Sequence, residues 1–248
     1  MPASPALSVI IPFFNEAGNV HPVIDEVHEQ LAGIPFEIIC VNDQSSDATG
    51  TELAEAKAKH PDTVFVFSHV QRRGKSAALF TGLRAVRGEW VQLLDGDGQN
   101  DPGDTARLWK AIIAPGAPPR LGIIAGKRNS RNDSGFKWVQ SRVANGVRRF
   151  VLQDDATDTG CGWKLIRTAA FRDLPYFASM HRFLPALVKR AGWDVREELV
   201  NDRRRLAGQS KYGFLGRLGA GIFDLLGMFW LVRRGGYGIA AEWNDPRA

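Results

Sequence analysis

Short apolar runs alternate with longer amphipathic ones through the first half of this chain, and that alternation restricts the fold more than any other feature. Leu7–Phe13, Phe36–Asn42, Val64–Ser68, Trp90–Leu94 and Leu121–Gly126 are short, rich in β-branched residues and bounded by Pro, Asp or Gly, which predicts strands. The intervening stretches Ala17–Leu31, Thr49–Lys59, Lys75–Arg87 and Gly103–Ile113 predict helices, with Asp47 as a cap for the second. Strand and helix in turn imply right-handed crossovers and a mostly parallel sheet. Loops that bind ligands then lie at the carboxyl ends of the strands, after Ile11, Val41 and Leu94. Further helices are expected over Phe136–Leu152 and His181–Ala191, a strand over Val195–Val200, and loops over 114–120 and 127–135.

The 248 residues suffice for one large α/β domain, and 44% hydrophobic content excludes a disordered chain. Cys40 and Cys161, 121 positions apart, read as reduced thiols rather than a disulfide or metal pair. The opening MPASPALSVI has no basic n-region, and no apolar window is long enough for a standard transmembrane helix, so neither a signal peptide nor a membrane span is expected. The +5 net charge is local: from Arg203 to Arg234 seven basic residues face one acid, Asp224, a balance of +6. An anionic partner is implied there, namely nucleic acid, a membrane surface or a phosphorylated substrate. Nucleic acid is set aside, because the basic residues are interleaved with Gly and aliphatics and no nucleic-acid motif appears.

The three loops carry the chemistry. The first, PFFNE (12–16), lacks the GxGxxG of a dinucleotide site, which argues against an NAD or FAD enzyme. In the second, VNDQSSDAT (41–49), Asp43 can accept from a base edge or a ribose hydroxyl; otherwise it caps the next helix. In LLDGDGQNDP (93–102), Asp95 and Asp97 fall on one face of an extended segment together with Gln99. Such oxygen donors suit Mg²⁺ or Mn²⁺, which would bridge substrate phosphates.

PFFNE, VNDQSSDAT and LLDGDGQ in this order, with QRRGKSAAL (71–79) between them, resemble the family-two glycosyltransferases of GT-A fold. DTGCGWKLIR (158–167), MHRFLPAL (180–187), RRLAGQSKYG (204–213) and FDLLGMFWLVRR (223–234) resemble its polyprenyl-phosphate sugar transferase branch, which includes dolichyl-phosphate mannose synthase and bacterial undecaprenyl-phosphate glycosyltransferases. The resemblance implies an α/β, GT-A Rossmann-like, mostly parallel sheet flanked by helices. A catalytic domain would occupy 1–212 and a C-terminal amphipathic segment 213–248. It implies a nucleotide pocket lined by Pro12, Phe13, Glu16, Asp43 and Asp95, and a metal on Asp97, Gln99 and Asp95. Arg128, Arg142, Arg205 and Lys211 would bind phosphates, the last two also counting as catalytic with Asp97 and Asp158. Asp158 is a candidate base or acceptor-positioning residue, the alternative being a turn cap before Gly160; His181 and Arg182 open the HRFLPAL helix and could touch the acceptor phosphate, with a structural role expected for His181.

The implied reaction is inverting, metal-dependent transfer of a sugar from a GDP- or UDP-linked donor to a polyprenyl phosphate. That acceptor is a dianion near neutral pH and needs little base catalysis. A saccharide-hydroxyl acceptor would need a firm base, and a non-catalytic nucleotide-sugar-binding protein would have no use for DGDGQ. From Leu215 apolar residues recur every three or four positions with Arg217, Arg233 and Arg234 at the flanks, which predicts helix either packed on the domain or lying in a membrane surface. The expected setting is the cytoplasm, peripheral to the membrane, with a second copy or a membrane protein as further partners.

Overall fold

A computed structural model describes residues 4–114, 116–128, 156–203 and 214–234, together with 146, 148, 152 and 154. Seven strands form one sheet in the order β3-β2-β1-β4-β6-β5-β7. They are β1 Leu7–Phe13, β2 Phe36–Asn42, β3 Val64–Ser68, β4 Trp90–Leu93, β5 Leu121–Arg128, β6 Lys164–Arg167 and β7 Asp194–Val200. The helices are α1 Val20–Gln30, α2 Thr49–Lys59, α3 Lys75–Ala85, α4 Pro102–Leu108, α5 Thr168–Arg172, α6 Leu184–Arg190 and α7 Phe214–Arg233.

β1 reads LSVIIPF and buries both faces, as a central parallel strand must. Leu7, Val9, Ile11 and Phe13 pack with α1, α2 and α4, whereas Ile10 packs with α3 on the opposite face, where α5, α6 and part of α7 complete the layer. Gly82 lets α3 close on β1: a Cβ there would lie 2.6 Å from Ile10 Cγ2. α4 starts where Asp101 Oδ1 accepts from Gly103 N at 2.8 Å, with Pro102 in the first turn. Its predicted continuation to Ile113 is a π-helical turn over Trp109–Ile113.

β6 was not expected. It runs antiparallel between β4 and β5, so the sheet is mixed rather than wholly parallel. Its insertion brings the segment 158–164 against the carboxyl end of β4. Buried Gln92 of β4 is satisfied by its own chain: Thr105 Oγ1 donates to its Oε1 at 3.0 Å, and Trp163 Nε1 donates to that hydroxyl at 3.2 Å. α7 packs Met228 into the core beside Leu225, Leu231 and Val232, while Phe223, Leu226 and Trp230 are 79%, 62% and 59% exposed along its outer side. No helix among the described residues is long and apolar enough to cross a membrane.

Candidate active site

Parallel pairing sets the ends of β1, β2 and β4 at one edge of the sheet, and the three loops knit together there. Asn15, at φ 51°, donates its N–H to Ser45 Oγ and accepts from Ser46 N through Oδ1. Glu16 N donates to Thr49 Oγ1, and Glu16 Oε2 accepts from Asn19 Nδ2 at 2.8 Å. Pro12 is partly exposed at this edge, but Phe13 is wholly buried. The alternation of the strand turns Phe13 into the core, against Gly96. The aromatic ring at the rim belongs instead to Phe14, with the Arg72 guanidinium 4.0 Å from its centroid.

Asp43 emerges from β2 and is only 3% exposed. Its Oδ1 accepts from Arg73 N at 2.7 Å and from His69 Nδ1 at 2.8 Å; its Oδ2 accepts from Gly74 N at 2.7 Å. His69 Nε2 then pairs with the Thr81 hydroxyl at 2.9 Å, which fixes the ring between strand end and α3. Burial raises the carboxyl pKa, but the Arg73 and Gly74 amides and His69 outweigh it, so Asp43 sits below the usual carboxylate range. Gly74 at φ +84° supplies a turn that L side chains rarely adopt. The side chain expected to read a base thus already holds three donors of its own chain, and it orders the loop that carries Arg72.

β4 ends at Leu93, so Asp95 to Gln99 form a turn rather than the extended segment expected. Asp97, 7% exposed, accepts from Gln99 N at 3.1 Å, and Gln99 Nε2 donates to Arg203 O at 3.2 Å. Asp95 pairs with Lys75 Nζ. Burial works against that carboxylate's charge, and Lys75 more than compensates, holding its pKa below normal. Lys75, first residue of α3, has no role in the sequence reading beyond its place in QRRGKSAAL. Among the described residues no three His, Cys, Asp or Glu gather as a self-sufficient metal cage. Two carboxylates and an amide oxygen still fit Mg²⁺ or Mn²⁺, because such ions take one or two carboxylates and complete their shell with phosphate and water.

Arg128 and Asp158, given separate tasks by the sequence, form one bidentate ion pair: Nε to Oδ2 at 2.7 Å and Nη2 to Oδ1 at 2.9 Å. Glu197 of β7 braces the same turn, accepting from Thr157 N and Oγ1 and from Asp158 N. Burial alone would lower the Arg128 pKa, but Asp158 raises it overall. A carboxylate forked by a guanidinium takes up a proton less readily, which favours the positioning alternative for Asp158 over the base. Arg142, Arg205 and Lys211 lie outside the described residues.

Beside the Lys75–Asp95 pair lies a cavity of about 120 Å³, bordered by Lys75, Gly160–Gly162, Lys164, His181 and Arg182. Gly162 faces Asp95 so closely that a Cβ would collide with Oδ2. His181 Nδ1 bonds Ser76 Oγ at 2.8 Å, and burial followed by Lys75 pushes its pKa well below normal, in line with the structural role expected. Lys164, 3% exposed, donates to the Cys161 and Thr159 carbonyls; burial lowers its pKa from 10.5 to about 8. A lysine depressed in the folded state binds fewer protons than the unfolded chain between those two values, so stability should rise with pH from about 8 to 10.5. Urea midpoints across that window should climb in the native chain and flatten in Lys164→Met; an equal climb in both would sink the assignment.

A mixed α/β sheet with acidic loops at its β1, β2 and β4 ends defines a GT-A type of transferase domain. Residues 8–175 match the model of glycosyl transferase family 2, and the chain belongs to that family. A dodecaprenyl-phosphate galacturonate synthase of Rhizobium johnstonii is 29% identical over 232 residues, covering 92% of this chain and 67% of the relative. An undecaprenyl-phosphate 4-deoxy-4-formamido-L-arabinose transferase of Edwardsiella ictaluri is 27% identical over 211 residues, covering 84% and 63%. The chain thus spans about two thirds of these relatives, which are polyprenyl-phosphate sugar transferases. The crystal structure of glucosyl-3-phosphoglycerate synthase from Mycobacterium tuberculosis with UDP superposes with a TM-score of 0.68 at 19% identity, covering 99% of this chain and 86% of that one. A mannosyltransferase from Pyrobaculum calidifontis with GDP-mannose and Mn²⁺ gives 0.62 at 18% identity, covering 96% and 66%.

Proposed function

We propose that this chain transfers a sugar, with inversion, from a nucleoside-diphosphate sugar to the phosphate of a polyprenyl lipid, using Mg²⁺ or Mn²⁺. The observation that carries this reading is the Arg128–Asp158 pair. It occupies the carboxylate that would serve as general base, and only an acceptor already anionic can do without one. The relatives' names point to the same acceptor class. In this reading Phe14 and Arg72 flank the base, with Asp43 positioning them; Pro12, Glu16 and Asp95 complete the donor pocket. Asp97, Asp95 and Gln99 would hold the cation, which supplies charge neutralisation for the leaving diphosphate. Arg128, Arg142, Arg205 and Lys211 would share the acceptor and donor phosphates, and lowering their mutual repulsion is most of the catalysis required.

Residues 1–212 would form the catalytic domain and 213–248 a segment lying on the cytoplasmic membrane surface. The outer side of α7, with Phe223, Leu226 and Trp230 exposed above Arg233 and Arg234, supports that placement. The test is transfer of label from UDP- and GDP-sugars into organic-extractable lipid on anionic vesicles carrying undecaprenyl phosphate. Labelled lipid and co-sedimentation with the vesicles are expected. Metal-dependent donor hydrolysis without lipid label would overturn the acceptor, and protein left wholly in the supernatant would overturn the membrane placement.

A further inference from the structure

The cavity beside Asp95 has an electrostatic character that transfer of a neutral sugar does not explain. Among the described residues that border it, Lys75, Lys164 and Arg182 carry cationic side chains beside His181, and none is Asp or Glu. Of these side chains, Lys75 alone has a carboxylate partner among the described residues. Lys164 is 3% exposed, and its contacts are two backbone carbonyls. Among the described residues neither Lys164 nor the half-buried Arg182 forms an ion pair. Asp95 and Asp158 act on Lys164 only from beyond ion-pair distance, and a buried cation with no carboxylate in contact is costly, which favours an anion arriving at it. A second opening of about 280 Å³, bordered by Arg73, Lys75, Ser76, His181 and Arg182, continues the basic lining outward, again with no acid among the described residues.

Resting on the transfer reading above, we propose that this cavity receives a carboxylate on the transferred sugar, so that the donor is a nucleotide-linked uronic acid. Lys164 meets the carboxylate from the cavity wall and Arg182 from its mouth. Lys75, neutralised by Asp95, keeps the two acidic partners apart. The backbone of Gly160–Gly162 lines the cavity and lowers the local dielectric, which strengthens a charge pair formed there. The lowered pKa of Lys164 follows from the same burial and would rise once a carboxylate arrives.

The experiment is calorimetric binding with Mn²⁺ and no lipid, using matched donors: UDP-glucuronate against UDP-glucose, UDP-galacturonate against UDP-galactose, and GDP-mannuronate against GDP-mannose. Because no acceptor is present, failure of the lipid-transfer reading leaves this result untouched. At least one uronate should bind more tightly than its neutral partner by about 10- to 100-fold, the range for a charge-assisted bond. That ratio should collapse towards one in both Lys164→Met and Arg182→Gln; the second lies at the cavity mouth and guards against a folding defect in the first. Equal binding within every pair, or a preference surviving both substitutions, overturns the proposal. So does a rise confined to the KM for polyprenyl phosphate, since the anion would then be the acceptor's.

Discussion

Asp97→Ala should retain its fold and lose sugar transfer by about 10²- to 10³-fold, the scale set by removing one preorganised electrostatic group from a transfer site. Asp97 is buried at a turn and bonds Gln99 N, and loss of that bond costs about 1 kcal/mol, small against the stability of a domain. On the proposed function the larger loss falls on cation binding. Two carboxylates and an amide are too few to hold Mg²⁺ or Mn²⁺ firmly without phosphate oxygens. The native chain is therefore expected to bind Mn²⁺ weakly alone and much more tightly with nucleoside diphosphate, whereas Asp97→Ala binds weakly in both. Paired titrations with and without UDP or GDP measure this coupling. Native-like cation affinity in Asp97→Ala would remove Asp97 from the metal site.

The second large effect concerns the Arg128–Asp158 pair. Both side chains are mostly buried, at 19% and 9% exposure. Arg128→Ala leaves a buried carboxylate without its fork, a loss of about 3–5 kcal/mol. In a chain of this size that corresponds to a melting temperature lower by about 6–20 °C. Asp158→Ala should fall comparably, while Arg128→Met with Asp158→Leu should recover most of the loss, because neither member of the pair is then left without the other. Asp158→Asn separates the roles. A positioning residue loses melting temperature and activity together, with the pH–rate profile keeping its shape. A general base would lose the ascending limb of that profile while melting normally. Thermal scans and pH–rate curves on the four variants decide between them.

Much of this arrangement is legible in the residues. β1 to β5 and α1 to α3 lie within a few positions of where the apolar patterning puts them, because central parallel strands read as unbroken apolar runs. Asp95 and Asp97 arrive at the sheet edge as their place after an apolar strand implies. β6 escapes because KLIR is four residues long and begins with a lysine, and only pairing with β4 and β5 makes it a strand. Phe13 and Phe14 are chemically alike, and the register of β1 alone decides which is core and which is rim. Lys75, His69 and Lys164 carry no local signal, since their importance comes from partners 20 or more positions away or from burial that sequence does not display.

The antiparallel β6 also dictates when the domain can be complete during synthesis. Until residues 164–167 emerge, β4 has β1 on one side and an open edge on the other. β5 in turn joins the hydrogen-bonded ladder of the β1–β4 half through β6. A nascent chain or truncation ending before Lys164 therefore carries an apolar strand edge with nothing to cap it, the kind of template on which chains pair with one another. The segment that closes the sheet is also the one that brings Gly162 against Asp95 and Lys164 to the cavity wall, so the protein acquires this cavity and its protection from aggregation in the same folding event.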